Sequence, residues 1–146
     1  MIYCGYQGSG KSTYCRKHPN STIDLDSSNF AKVQGWEKEY IKIALNYSSQ
    51  GKKVFISAHQ NVIECLMAQN IKFVVMAPKD DKSTWEARLR FRYGMNPNLP
   101  NLKALSDCIH NFDKDMKYYQ ELEKRGVQVF RITAKIITNI DELLQD

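Results

Sequence analysis

The sequence predicts a three-layer α/β fold built on a five-stranded parallel sheet. Five short apolar runs alternate with amphipathic stretches along the chain. The runs are rich in β-branched residues and apolar on both faces, as buried parallel strands must be. The length, 146 residues, suits one domain spanning 1–146, because two halves would each be too small to bury much core.

In chain order, Met1–Tyr6 (MIYCGY) reads as the first strand and Thr22–Leu25 (TIDL) as a shorter second one. Val54–Ala58 (VFISA) follows Gly51-Lys52-Lys53 as the third, and Lys72–Ala77 (KFVVMA) is the fourth, closed by Pro78. Val127–Ile132 (VQVFRI) is the fifth, set off by the helix-stopping Gly126. Between them, Trp36, Tyr40, Ile43, Ala44 and Tyr47 share one helical face, and Val62, Cys65, Leu66 and Gln69 make a shorter helix. Leu102, Leu105, Ile109, Phe112, Met116 and Tyr119 recur every three or four residues, giving a long core-facing stripe. In such folds ligands bind beyond the carboxyl ends of the strands, so those positions carry the functional argument.

Composition narrows the classes. Hydrophobic residues are 42% and charged residues 25%, an ordinary globular balance that excludes wholesale disorder. No apolar run is long enough to span a bilayer, and the short first one is no signal peptide, so a cytoplasmic chain without membrane contact is expected. Cys4, Cys15, Cys65 and Cys108 form no C-x-x-C pair, which speaks for free thiols and against structural zinc. The net charge of +5 suits a phosphate-bearing partner, nucleic acid included. Oligomeric state leaves no mark in the sequence.

Directly after the first strand comes Gly5-Tyr6-Gln7-Gly8-Ser9-Gly10-Lys11-Ser12-Thr13, a full match to G-x-x-x-x-G-K-[ST] between a strand and a helix. Gly5, Gly8 and Gly10 let the main chain turn its N–H groups inward, with Gln7 and Ser9 between them, to meet phosphate oxygens. Lys11 supplies an ammonium for the β- and γ-phosphates, Ser12 a hydroxyl for Mg²⁺, and Thr13 support for a more distal phosphate. The chain is therefore expected to bind ATP with Mg²⁺. A guanine-reading Asn-Lys-x-Asp is missing, and neither the third nor the fourth strand contains the acid that motor ATPases place there.

A carboxylate for the metal must come from elsewhere, and Ile23-Asp24-Leu25-Asp26-Ser27-Ser28 offers two. Residues two apart on a strand share a face, so Asp24 and Asp26 point into one cleft. Asp26, nearer the strand's end, is the candidate for the acceptor. After the fourth strand, Lys82–Tyr93 (KSTWEARLRFRY) reads as a helix with Arg88 and Arg92 on one side and Arg90 on the other. Arg88 and Arg92 can neutralise a transferring phosphoryl group within a lid of about residues 80–100, hinged at Gly94–Pro100. His59, at the top of the third strand, is a candidate for contact with the acceptor. Arg131–Lys135, after the fifth strand, lies where an adenine site is expected.

Gly5–Thr13, the acids Asp24 and Asp26, and the arginine-bearing Trp85–Arg92 together resemble the small P-loop kinases. That group includes nucleoside monophosphate, shikimate and gluconate kinases and the polynucleotide-kinase or zeta-toxin branch. Ile56-Ser57-Ala58 is similar to the Cys-Ser-Ala run of gluconate-kinase-like enzymes, while Ile-Asp-Leu-Asp-Ser-Ser-Asn-Phe with Gly35-Trp36-Glu37 most resembles small phage and prophage nucleotide kinases. The resemblance implies strand order 2-3-1-4-5 and a mobile helical lid. The Asp-Gly-x-Pro-Arg run of adenylate kinases and a shikimate-binding arginine set are both missing, so the acceptor stays open. The resulting expectation is an ATP- and Mg²⁺-dependent kinase acting on a nucleoside monophosphate, first, or a nucleoside. A polynucleotide 5′-kinase and a non-catalytic nucleotide-dependent switch are the alternatives.

Overall fold

The computed structural model describes residues 1–133, 140 and 144. Five parallel strands, β1 (Ile2–Gly5), β2 (Thr22–Asp24), β3 (Lys53–Ser57), β4 (Phe73–Pro78) and β5 (Gln128–Ile132), lie in the order β2-β3-β1-β4-β5. Each falls within a residue or two of its expected place, and the order is the one the kinase resemblance implies. The central strand β1 is buried at every position. Its register sets Ile2 between Val54 and Phe73, and Gly5 between Ser57 and Met76. The strand that leads into the glycine-rich loop is thus held on both sides up to its last residue.

Helices α1 (Lys11–Lys17), α2 (Trp36–Ser49), α3 (Gln60–Ala68), α4 (Lys82–Met95) and α5 (Leu99–Lys124) connect the strands. Tyr3 stacks on Phe55 with centroids 5.0 Å apart, and Tyr14 of α1 lies 5.5 Å from the same Phe55. That face of the sheet belongs to α1. Parallel crossovers are right-handed, so the connections running the other way along the sheet place α2, α3 and α5 on the opposite face. Among the described residues no helix is long and apolar enough to cross a membrane.

Four expectations are corrected. In α2 the fully buried positions are Tyr40, Ile41 and Ala44, with Ile43 only half-buried; in α3, Val62, Ile63 and Leu66 are buried while Gln69 is exposed. The stripe of α5 is also rotated. Leu105, Cys108, Phe112, Tyr119 and Leu122 are buried, but Leu102 is exposed and Ile109 and Met116 are half-buried. Finally, Gly94–Pro100 is not one loop. Gly94 and Met95 end α4, and α5 starts at Leu99 because Asn98 caps it: its side chain accepts the N–H of Asn101 at 2.8 Å, with Pro100 in the first turn. Region 80–100 is therefore a helical hairpin with a three-residue connection, Asn96–Asn98. The end of α5 is as expected, with Gly126 at φ 88° just beyond it.

Candidate active site

The loop from Gly5 to Ser12 leaves β1 at its carboxyl end, where Tyr6 N–H still bonds the carbonyl of Met76 at 3.0 Å. Gly8 and Gly10 hold φ of 81° and 88°, a region that side-chain-bearing residues avoid. This turns the chain back on itself, with Ser9 N–H bonding Tyr6 O at 3.0 Å, and Gly10 O receives the Tyr14 N–H that begins α1. Among the described residues, the N–H groups of Gly8, Gly10, Lys11 and Ser12 bond to no main-chain carbonyl. Ser9 Oγ is buried without a partner among the described residues. Unsatisfied donors gathered at a helix N-terminus are the physical makings of an anion cradle.

The loop forms one wall of a cavity of about 900 Å³. Gly5, Gln7, Gly8, Ser9, Gly10, Lys11, Ser12 and Thr13 all line it. Burial lowers the Lys11 ammonium from its ordinary value; Asp24 and Asp26 act to raise it, and Arg92 acts with burial. Lys11 is thereby within electrostatic reach of both acids and of Arg92 on α4.

Asp24 ends β2, paired with Phe55 of β3, and its Oδ2 accepts the hydroxyl of Ser12 at 2.7 Å. Asp26 lies two residues on, where Oδ1 accepts the N–H of Ser28 at 2.9 Å and caps a 3₁₀ turn, Ser27–Asn29. Both carboxylates line the cavity. A hydroxyl and a carboxylate already in contact are hard oxygen donors suited to Mg²⁺, which takes its other ligands from substrate phosphates and water. Among the described residues no group of three or more His, Cys, Asp or Glu is gathered to hold a metal unaided.

Helix α4 touches the loop from outside. Trp85 and Leu89 are its buried positions, and Trp85 Nε1 donates to Gln7 O at 2.8 Å. Arg88 Nε donates to Gly8 O, also at 2.8 Å. Arg88 therefore grips the main chain of the loop as well as lining the cavity, while Arg92, one turn on, lines it too. Arg90 sits on the outer face, paired with Glu86 at 3.0 Å.

His59 is the N-cap residue of α3 and lines the cavity. Its Nε2 lies 3.2 Å from Ser27 Oγ, which in turn lies 3.0 Å from Ser57 Oγ. The hydroxyl of Tyr40 donates to Leu25 O and accepts Ser57 N–H, tying β2 to β3 beneath this chain of contacts. Sequence reasoning missed Ser27 as the hub, and it read the long helix α5 only for its core-facing stripe and not for its cavity-lining edge. Lys103, Asp107, Asn111 and Asp115 stand four residues apart along that helix and all line the cavity. Their even spacing was visible, but the stronger apolar stripe beside it drew the reading.

In the expected adenine region, Arg131 is paired with Glu123 and donates to Pro78 O at 3.3 Å. Ala134 and Lys135 lie outside the described residues.

No protein-family model and no curated protein matches the chain. Among solved structures it is similar to shikimate kinase from Bacteroides thetaiotaomicron, with TM-score 0.53 and 16% sequence identity. The match covers 98% of this chain and 96% of that one. Five parallel strands in this order, with the glycine loop seated between β1 and α1, make this the P-loop NTPase fold.

Proposed function

We propose that the chain is an ATP- and Mg²⁺-dependent phosphotransferase that moves the γ-phosphoryl group to a nucleotide or nucleoside. One observation carries the reading: Ser12 Oγ and Asp24 Oδ2 are 2.7 Å apart at the mouth of a complete phosphate loop, in a cavity shared with Asp26, Arg88 and Arg92. The similarity to a shikimate kinase supports the fold on which such chemistry runs.

The residues divide the work. The loop N–H groups and Lys11 hold the phosphates and offset charge that moves toward the leaving oxygen. Ser12 and Asp24 would hold Mg²⁺, which would supply Lewis-acid neutralisation of phosphate charge. Asp26 faces the acceptor, orients its attacking oxygen and takes the proton when that oxygen is a hydroxyl. As the new bond to Pγ forms, the bond from Pγ to the bridging oxygen breaks, and ADP leaves with that electron pair. Arg92 neutralises the equatorial oxygens, and Arg88 holds the loop in shape while doing so.

The test is ADP release from MgATP against a panel of nucleoside monophosphates, nucleosides, small sugar acids and 5′-hydroxyl oligonucleotides, beside Lys11→Met. Stimulation by one class, lost in the variant, is the expected result. ATP binding with no acceptor-stimulated turnover would overturn the kinase in favour of a nucleotide-dependent switch. A polynucleotide acceptor is the second reading, favoured by Phe91 and Met95, which line the cavity and are 72% and 73% exposed.

A further inference from the structure

The cavity has a cationic end that the phosphate loop does not account for. His59, half-buried beside Ser27, meets Trp36 edge-on with ring centroids 6.1 Å apart. Lys32, from the segment between β2 and α2, places its Nζ 4.4 Å from the centroid of the same Trp36 ring. The carbonyls of Ser27 and Phe30 hold it there. Lys103 reaches the cavity from the first turns of α5. Three elements thus bring three basic side chains to one place.

Their mutual effects agree with that geometry. Burial lowers the His59 imidazole, and Lys103 and Lys32 lower it further; Asp107 opposes them, and Lys11 adds a smaller lowering. The Lys32 ammonium is lowered by burial and then by Lys103, with Asp26 opposing. Like charges repel unless an anion lies between them. The N-terminus of α3 adds to the positive field, because His59 gives it no side-chain cap.

We infer that Lys32, His59 and Lys103 form the subsite for the acceptor's own phosphate, so that the acceptor is a nucleoside monophosphate and not a nucleoside. The inference rests on the kinase reading and deepens it. Lys11 acts on His59 and Asp26 on Lys32, and all four line one cavity with Lys103, so the subsite opens onto the place of transfer. An acceptor phosphate is itself the nucleophile: one of its oxygens bonds to Pγ, and the bridging bond leaves with ADP. Two phosphate groups brought together for transfer repel each other. Cations at that point offset the repulsion. A hydroxyl nucleophile needs a base and gains little from three cations.

The experiment is equilibrium binding of the ribo- and deoxyribonucleoside monophosphates and their matching nucleosides, without ATP. It is read by calorimetry and by NMR titration of the His59 imidazole, in the wild type and in Lys32→Ala and Lys103→Ala. At least one monophosphate is expected to bind tenfold or more tightly than its nucleoside and to raise the His59 pKa. Each lysine variant should weaken that binding tenfold or more, with ATP affinity unchanged and the same thermal midpoint. Equal affinity for nucleoside and monophosphate overturns the subsite. So does an unmoved His59 titration, an unaffected Lys103→Ala, or binding confined to 5′-hydroxyl oligonucleotides. Failure of the kinase reading is separate: it shows as no acceptor-stimulated ADP release from MgATP that Lys11→Met removes, whatever His59 does.

Discussion

The indole N–H of Trp85 donates to the main-chain carbonyl of Gln7 at 2.8 Å, across 78 residues of sequence. Together with Arg88 on Gly8 O, it fastens α4 to the outer side of the phosphate loop. Trp85 is fully buried, so the bond is made away from competing water. Helix α4 therefore shapes the loop and is more than a cover over it. Trp85→Phe should destabilise the chain by about 2–4 kcal/mol, from lost packing and an unsatisfied carbonyl. ATP affinity should fall with it. Urea unfolding and nucleotide titration check both, and an unchanged ATP affinity would show that the latch does not shape the loop.

Gly8 makes a second test of that contact. A Cβ there would sit 2.9 Å from Leu89 Cδ2, on a residue at φ 81°. Gly126 has φ 88° as well, but none of the described residues lies within 4 Å of its Cβ position. Both alanine variants carry the backbone cost of about 1–2 kcal/mol. Only Gly8→Ala should also abolish nucleotide binding, which a fluorescent ATP analogue would read.

Ser12→Ala and Asp24→Asn should each raise the Mg²⁺ concentration for half-maximal turnover by about tenfold or more, or one decade, as loss of a charge-assisted ligand implies. Because the two side chains touch, the double variant should cost less than both singles added together. Simple additivity, measured by Mg²⁺ titration of all three, would separate their roles.

Asp115 is half-buried on α5, and burial, with Asp107 adding to it, pushes its carboxyl up to about 6. A carboxyl whose pKa is higher folded than unfolded binds more protons in the native state between the two values. Stability should therefore fall as pH rises from about 4 to about 6, the opposite of the usual carboxylate effect. Asp115→Asn should stabilise the chain at pH 7, by about 1 kcal/mol once solvent screening of a half-buried group is allowed for, and gain nothing near pH 4. Thermal midpoints across that range decide it.

The strands, the phosphate loop and the place of Asp24 were legible because each rests on local chemistry: β-branched runs, glycine spacing, a period of two. The helix faces were less so, since Ile41 and Ile43 are equally apolar and only tertiary packing selects one. Asn98-Leu99-Pro100, within Gly94–Pro100, reads as a loop for its Asn and Pro, although the same residues spell an N-cap and the start of a first turn. Lys32 and Lys103 carried no signal, being ordinary surface lysines until the fold sets 70 intervening residues aside and brings them to one histidine.

The central place of β1 bears on how the chain is made. Its neighbours in the sheet, β3 and β4, begin 51 and 71 residues later. A ribosome therefore releases the phosphate-binding strand long before anything exists for it to pair with, and Trp85 and Arg88 come later still. Until then an apolar N-terminal segment waits without a partner, open to chaperones or to a neighbouring nascent chain. Nucleotide binding by the growing polypeptide should begin only once α4 has cleared the exit tunnel.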